Sequence, residues 1–366
     1  KASRDSICNS SWSFPASVSS WGHCLHVGHM GRSNQRSRKP QSTRAAAAAA
    51  QGGGRSRVTA AHVQLNRKIT AAAECSQQRV LKLVQSCCQD MSLVNASTAW
   101  HCIARLEAEE RQTLEADPRI AMLQEQTKLL LSAFLAAEKD EDPHHRCVAT
   151  ITWSCAKLKL HDADMLSALG DLAVRWLWSF KPFELANVLW GFAKLQVEHT
   201  ILFQLAHDYI LRSPKLFPTR SLSVAAWAFA TVRFDACQGL LCKMADAFVA
   251  GLASGDNANP VTIANMVWAL ATTRAHVPRE ALQAMGAVAT AELDSFRAHE
   301  LSVMLWAFAR LNACHEGLFA RAMGLLCSNQ RLREEIHSQG IANLLWAFAR
   351  YSKGVRDSGA HMSLDV

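Results

Sequence analysis

Apolar residues along most of this chain recur at the i, i+3, i+4 spacing of a helix packed on one side. One such block, Leu185-Ala-Asn-Val-Leu-Trp-Gly-Phe-Ala-Lys-Leu195, is repeated. It returns at Leu222–Val232, Ile263–Thr273, Leu301–Leu311 and Ile341–Tyr351, and more loosely at Cys147–Leu158. The tryptophans stand at 153, 190, 227, 268, 306 and 346, at intervals of 37, 37, 41, 38 and 40. A unit of this length is a helical hairpin that cannot bury its apolar face alone, so units must stack. The pattern therefore predicts an all-α, right-handed α-solenoid of stacked hairpins with 37–41 residues per repeat over 143–354.

Numbering the block from its tryptophan as zero and turning about 100° per residue sorts its positions. Positions −5, −1 and +2 form one apolar stripe, predicted to meet a second helix of the same unit. Such second helices are predicted at Ile201–Leu211, Gly239–Leu252, Glu280–Leu293 and Leu318–Leu326. The tryptophan and the alanine at +3 lie on a flank where the neighbouring unit can pack, small side chains allowing close approach. Pro182 and Pro260 suit the opening turn of a helix, where the missing N–H costs nothing.

Upstream, 58–142 reads as helical, from Val63-Gln-Leu-Asn-Arg-Lys-Ile-Thr onwards. Ser97–Leu106 resembles a degenerate unit in which His101 takes the tryptophan position and Arg105 the basic one. Glu138-Lys-Asp-Glu-Asp-Pro143 is an acidic loop. Residues 355–366 offer no apolar face and are expected to be disordered; a start at Lys1 rather than Met leads one to expect a missing N-terminus, and after Tyr351 either the last first helix is an uncapped end or the chain is truncated there too.

Charge alters the picture once it is located. Residues 1–57 carry nine Lys/Arg against one acid, Asp5, a local +8 that equals the net charge of the whole chain. The remainder is near neutral, so the sequence pI near 9.0 does not argue for a nucleic-acid surface on the array. This Arg/Ser-rich, acid-poor leader reads as a disordered transit segment for a mitochondrion or, alternatively, a plastid. Within it His23, Cys24, His26 and His29 crowd together, but no second ligand cluster accompanies them, so no metal is predicted. The 12 cysteines form no CxxC pair and read as reduced. No run of apolar residues is long enough for a transmembrane helix, so no membrane partner is expected.

Positions −3 and +4 point at about 60° and 40°, away from the apolar stripe. They hold the candidate RNA-binding stripe: Thr150, Lys157, Asn187, Lys194, Asn265, Arg310, Asn343 and Arg350. Amides can read base edges and cations hold phosphates, and repetition is what one-unit-per-base recognition needs. Lys or Arg in a last helical turn also complements the helix dipole, which supplies a purely structural account of the same residues. Valine at −3 in two units, Val224 and Val303, weakens any uniform code.

The motif Leu-Ala-Asn-x-Leu-Trp-Ala-Phe-Ala-Lys/Arg at a spacing near 38 resembles the octotricopeptide and heptatricopeptide repeat proteins. It is also similar to the repeats of FAST-kinase-domain and RAP-domain organelle proteins. The resemblance implies an organelle-targeted solenoid that binds single-stranded mRNA or rRNA, with ribosomal or RNA-processing proteins as further partners. It implies a role in processing, stability, translation or ribosomal RNA assembly. No segment here matches a RAP domain. The competing expectation is a protein-interaction scaffold of the tetratricopeptide kind, such as a structural part of an organelle ribosome. Catalysis and cofactors are not expected: no phosphate-binding Gly-rich loop, nucleophile elbow or paired metal motif occurs. His161-Asp162 and His207-Asp208 read as surface residues.

Overall fold

The computed structural model describes residues 59–105, 117–137, 144–235, 237–313 and 315–357. The leader, the His23–His29 cluster, the acidic loop and the residues after 357 lie outside them. Sixteen α-helices and no strand occur among the described residues. In chain order they are α1 Ala60–Cys75, α2 Gln77–Cys87, α3 Leu93–Ala104, α4 Pro118–Ala136, α5 His145–Leu158 and α6 Ala163–Arg175. Then follow α7 Pro182–Leu195, α8 Thr200–Arg212, α9 Thr219–Thr231, α10 Cys237–Ala253 and α11 Pro260–Thr273. The array ends with α12 Arg279–Ala291, α13 Ala298–Arg310, α14 Glu316–Ser328, the short α15 Gln330–Glu334 and α16 Ser338–Asp357. The four predicted second helices are α8, α10, α12 and α14, each found within two or three residues of its expected ends.

The helices form two layers. First helices α1, α3, α5, α7, α9, α11, α13 and α16 pack in sequence against one another, and second helices α2 to α14 form the other layer. Consecutive first helices approach much more closely than consecutive second helices. A stack tighter on one side bends toward that side, so the motif helices line the inner layer. The cause is in the sequence: Ala226, Ala228, Ala230, Ala269, Ala271, Ala307 and Ala309 are all buried in this layer. Small side chains bring the backbones together while the indoles fill what remains.

The −5, −1 and +2 stripe behaves as predicted. Leu185, Leu189, Phe192, Leu222, Phe229, Leu301, Leu305 and Phe308 are all fully buried. Each phenylalanine at +2 contributes roughly 2–3 kcal/mol through removal of its ring from water. The last unit supplies the control. α16 has no second helix after it among the described residues, and its −5 and −1 residues, Ile341 and Leu345, are 49% and 68% exposed.

In the segment read as a degenerate unit, one ring contact resembles those of the regular units. His101 sits at the tryptophan position, with its ring centroid 5.6 Å from that of Trp153. The same pairing joins Trp227 to Trp268 at 6.1 Å and Trp306 to Trp346 at 6.4 Å. Burial, with Arg105 and Arg146 nearby, pushes the His101 pKa down to about 4, so the imidazole is neutral at neutral pH.

Two repeated devices set the unit boundaries. A single 3-10 turn precedes α7, α9 and α13, and the extended residue after it, Phe180, Phe217 or Phe296, is buried. At the other end, the residue six after each of the first five motif tryptophans has positive φ: Lys159, Gln196, Arg233, Arg274 and Asn312, all between 52 and 57°. The following N–H returns to the carbonyl five residues back, as in Leu160 to Cys155 at 3.0 Å and Val197 to Phe192 at 3.0 Å. This Schellman-type closure turns the chain into the second helix.

Candidate nucleic-acid interface

The candidate residues all lie on the inner, first-helix layer, but they are not one open stripe. At +4 the cations fold back over the indole one turn earlier. Lys157 lies 5.9 Å from the Trp153 ring centroid, Arg310 5.3 Å from that of Trp306, and Arg350 5.8 Å from that of Trp346. The arginines also reach across the unit boundary. Arg310 Nε donates to the Ala271 carbonyl at 3.0 Å, and Arg350 Nε donates to the Ala309 carbonyl at 3.1 Å. Both acceptors belong to the last turn of the preceding first helix, where carbonyls have no helical partner and the dipole is negative. A second Arg350 nitrogen donates to Asn312 Oδ1. The cation therefore clamps neighbouring units together besides lending charge to the edge. Threonine replaces it in two units, and Thr231 Oγ1 donates to its own helix at Trp227 O, 2.8 Å away.

At −3 the expectation of an exposed amide ladder fails in part. Thr150 and Asn187 are half-buried, whereas Asn265 and Asn343 are buried, as are Val224 and Val303. A wheel drawn for one helix leaves this face open, but in the stack first helices pack side by side, and α13 lies against the Asn265 face of α11. Asn265 shares a shallow pocket with Trp268, His299, Glu300 and Val303 across the α11–α13 boundary. Asn343 Oδ1 accepts from Gln339 Nε2 at 3.1 Å within α16. Asn187 Oδ1 is buried and has no hydrogen-bond partner. Such a group costs about 1–3 kcal/mol to leave unsatisfied, so it is an acceptor waiting for a donor.

The most exposed polar positions are those at +6, absent from the sequence-based stripe, although Gln196 Nε2 donates to the Ala193 carbonyl at 2.9 Å and Asn312 Oδ1 accepts from Arg350. Lys159, Gln196, Arg233, Arg274 and Asn312 are all exposed, one per unit, at the C-terminal ends of α5, α7, α9, α11 and α13. Glycine is the usual residue for a left-handed C-cap, and any other residue gives up about 1 kcal/mol there. Five successive units forgo glycine and keep a basic or amide side chain. With the +4 cations they make a basic edge that runs the length of the regular array. Neighbouring charges on it sense one another: burial, with Lys159 of the preceding unit beside it, lowers the Lys194 pKa. The signal that could have revealed the +6 ladder was the missing glycine at a fixed distance from each tryptophan.

The other chemistry is plain. Among the described residues no group of three His, Cys, Asp or Glu side chains converges as a metal site. The described cysteines are free, and burial raises the Cys147 thiol to about 11 and that of Cys155 to about 12. His207 and Asp208 form a surface pair at 2.9 Å. His161 turns toward the Lys159 and Leu195 carbonyls, at 2.9 and 3.3 Å. Among the described residues no helix is long and apolar enough to cross a membrane. Compared with known proteins, the chain matches no family model and no curated sequence.

Proposed function

We propose that the chain is a helical-repeat protein that binds single-stranded RNA without catalysis, in an organelle, in RNA processing, stability, translation or ribosomal RNA assembly. The observation that carries this reading is the +6 ladder, where Lys159, Gln196, Arg233, Arg274 and Asn312 occupy strained, exposed C-caps. A stack that needed only stability would use glycine there. Cations spaced one per unit along a solenoid suit a polyanion whose charges also repeat. Asn187, half-buried two turns before Lys194 on the same helix, adds an amide to the face that carries the cation. The organelle assignment rests on the acid-poor leader, with a mitochondrion preferred over a plastid. The test is the affinity of the full chain for single-stranded RNA, set against the Lys159→Glu/Arg233→Glu/Arg274→Glu variant. Loss of affinity on charge reversal supports the reading, and unchanged affinity refutes it.

A protein-interaction scaffold is the second reading, and two observations favour it. The Arg310 and Arg350 side chains are engaged with the preceding unit, and α16 presents Ile341, Leu345 and Trp346 to solvent. It predicts that charge reversal at +6 leaves RNA affinity at the level of any basic protein, while Leu345→Lys removes a protein contact.

A further inference from the structure

Trp178 is 63% exposed, at the turn between α6 and α7. Large aromatic side chains are usually buried or engaged, and this one is engaged at its edge while most of it remains exposed. Its ring lies edge-on to Tyr209 of α8, with centroids 5.0 Å apart, and Tyr209 in turn lies 5.7 Å from the buried Phe217. Leu216, next to Phe217 in the following inter-unit turn, is 60% exposed. The two turns thus form one continuous aromatic–apolar surface shared by adjacent units, with Trp178 at its open end.

Three exposed cations belong to the same two turns and the end of α8. Lys181 follows Trp178 by three residues, Arg212 is one helical turn beyond Tyr209, and Lys215 precedes Leu216. Among the described residues no acid pairs with any of the three. The acids on the adjoining helices have other partners: buried Glu184 accepts the Lys181 backbone N–H at 2.9 Å and lies 3.4 Å from His145, Asp208 pairs with His207, and Asp171 faces His199 at 3.5 Å. Tyr209 meets the Trp178 indole edge-on, and most of the indole stays exposed on a stretch of surface that carries three cations with no acid paired to them among the described residues.

We infer that this surface is a second contact for single-stranded RNA: one base stacks on Trp178 while the adjoining phosphates meet Lys181, Arg212 and Lys215. The inference rests on the RNA-binding reading above and extends it to the opposite end of the first helices from the +6 ladder. The two sites are separated by the length of α7, roughly 20 Å at 1.5 Å per residue, so a strand touching both crosses the inner layer. A base is favoured over an acidic peptide because Trp178 offers a flat ring, not a pocket for a side-chain anchor, and three separate unpaired cations match successive phosphates.

The test compares the full chain with its Trp178→Ala, Trp178→Phe and Lys181→Glu/Lys215→Glu variants, using fluorescein-labelled oligouridine of about 30 nucleotides. Thermal unfolding confirms the fold of each, and the side chains changed are exposed. Trp178→Ala is expected to weaken binding about tenfold, Trp178→Phe much less, and charge reversal to make log K fall less steeply with log salt. If the wild-type chain binds the oligonucleotide and Trp178→Ala binds it equally well, this inference falls and the RNA-binding reading stands. The patch is then a protein-docking surface. If the wild-type chain does not bind the oligonucleotide at all, both fall.

Discussion

Gly191 tests the packing of the inner layer most sharply, because two simple arguments about it give opposite signs. It follows Trp190, a position held by alanine in four of the other five units and serine in the fifth. Gly191→Ala therefore moves the unit toward its own consensus, and helix propensity alone favours alanine by about 0.5–1 kcal/mol. The stack reverses that. A methyl at Gly191 would stand 2.6 Å from Thr152 Cγ2 and 3.0 Å from the Thr152 carbonyl oxygen of α5. Thr152 cannot swing away cheaply, since its Oγ1 donates to the Val148 carbonyl at 2.8 Å and a β-branched side chain has few rotamers in a helix. Overpacking of this kind costs about 1–3 kcal/mol. The net expectation is a destabilisation of roughly 1–2 kcal/mol after the propensity gain is subtracted. Urea unfolding followed by circular dichroism measures it as a lower midpoint. Pairing Gly191→Ala with Thr152→Ala should recover part of the loss. A Gly191→Ala chain that is as stable as wild type or more so would show that α5 and α7 do not approach this closely.

Three other predictions follow from neighbouring features. Gly170→Ala should destabilise and loosen the start of α8, because its methyl would stand 2.1 Å from His199 Cδ2, while His199 Nδ1 caps the Leu202 N–H at 3.3 Å; unfolding midpoints check this. His101 takes up its proton near pH 6.5 when unfolded but only near pH 4 in the fold. Because the folded pKa is the lower one, stability attached to His101 is intact above about pH 6.5 and falls as pH drops, by about 1.4 kcal/mol per unit. Subtracting the unfolding free energies of His101→Phe from those of wild type across that window should expose this slope, and a flat difference would contradict it. Arg274→Gly should stabilise the chain by roughly 0.5–1 kcal/mol by relieving the positive-φ cap, while weakening RNA binding; equal or lower stability would contradict the strain argument.

The period, the layer assignment and most helix limits were legible in the sequence because repetition averages out local ambiguity. Ile201–Leu211 became Thr200–Arg212, and His101 took the ring position expected of it. The burial of Asn265 and Asn343 was not legible. A helical wheel describes one helix in isolation, whereas in the stack an adjoining first helix packs beside each, α13 following α11 and α13 preceding α16. Nor could the wheel show that Arg310 bonds a carbonyl 39 residues back, which depends on the register between units. The +6 ladder left only a faint trace in the sequence, because a left-handed cap without glycine has no residue signature of its own. Trp178 escaped notice because it lies in a turn outside the repeated block, where periodicity carries no information.

The central claim is that the basic edge at +4 and +6 holds RNA phosphates. The direct measurement is fluorescence anisotropy of single-stranded RNA with the full chain as salt is raised, for wild type and for Lys159→Glu/Arg233→Glu/Arg274→Glu. Each phosphate neutralised contributes a slope of about −0.7 in log K against log salt on a single strand. The account predicts a steep negative slope for wild type and one shallower by about 2 for the triple variant, since three contacts are removed. Identical slopes for the two chains, or binding that does not respond to salt, would contradict it.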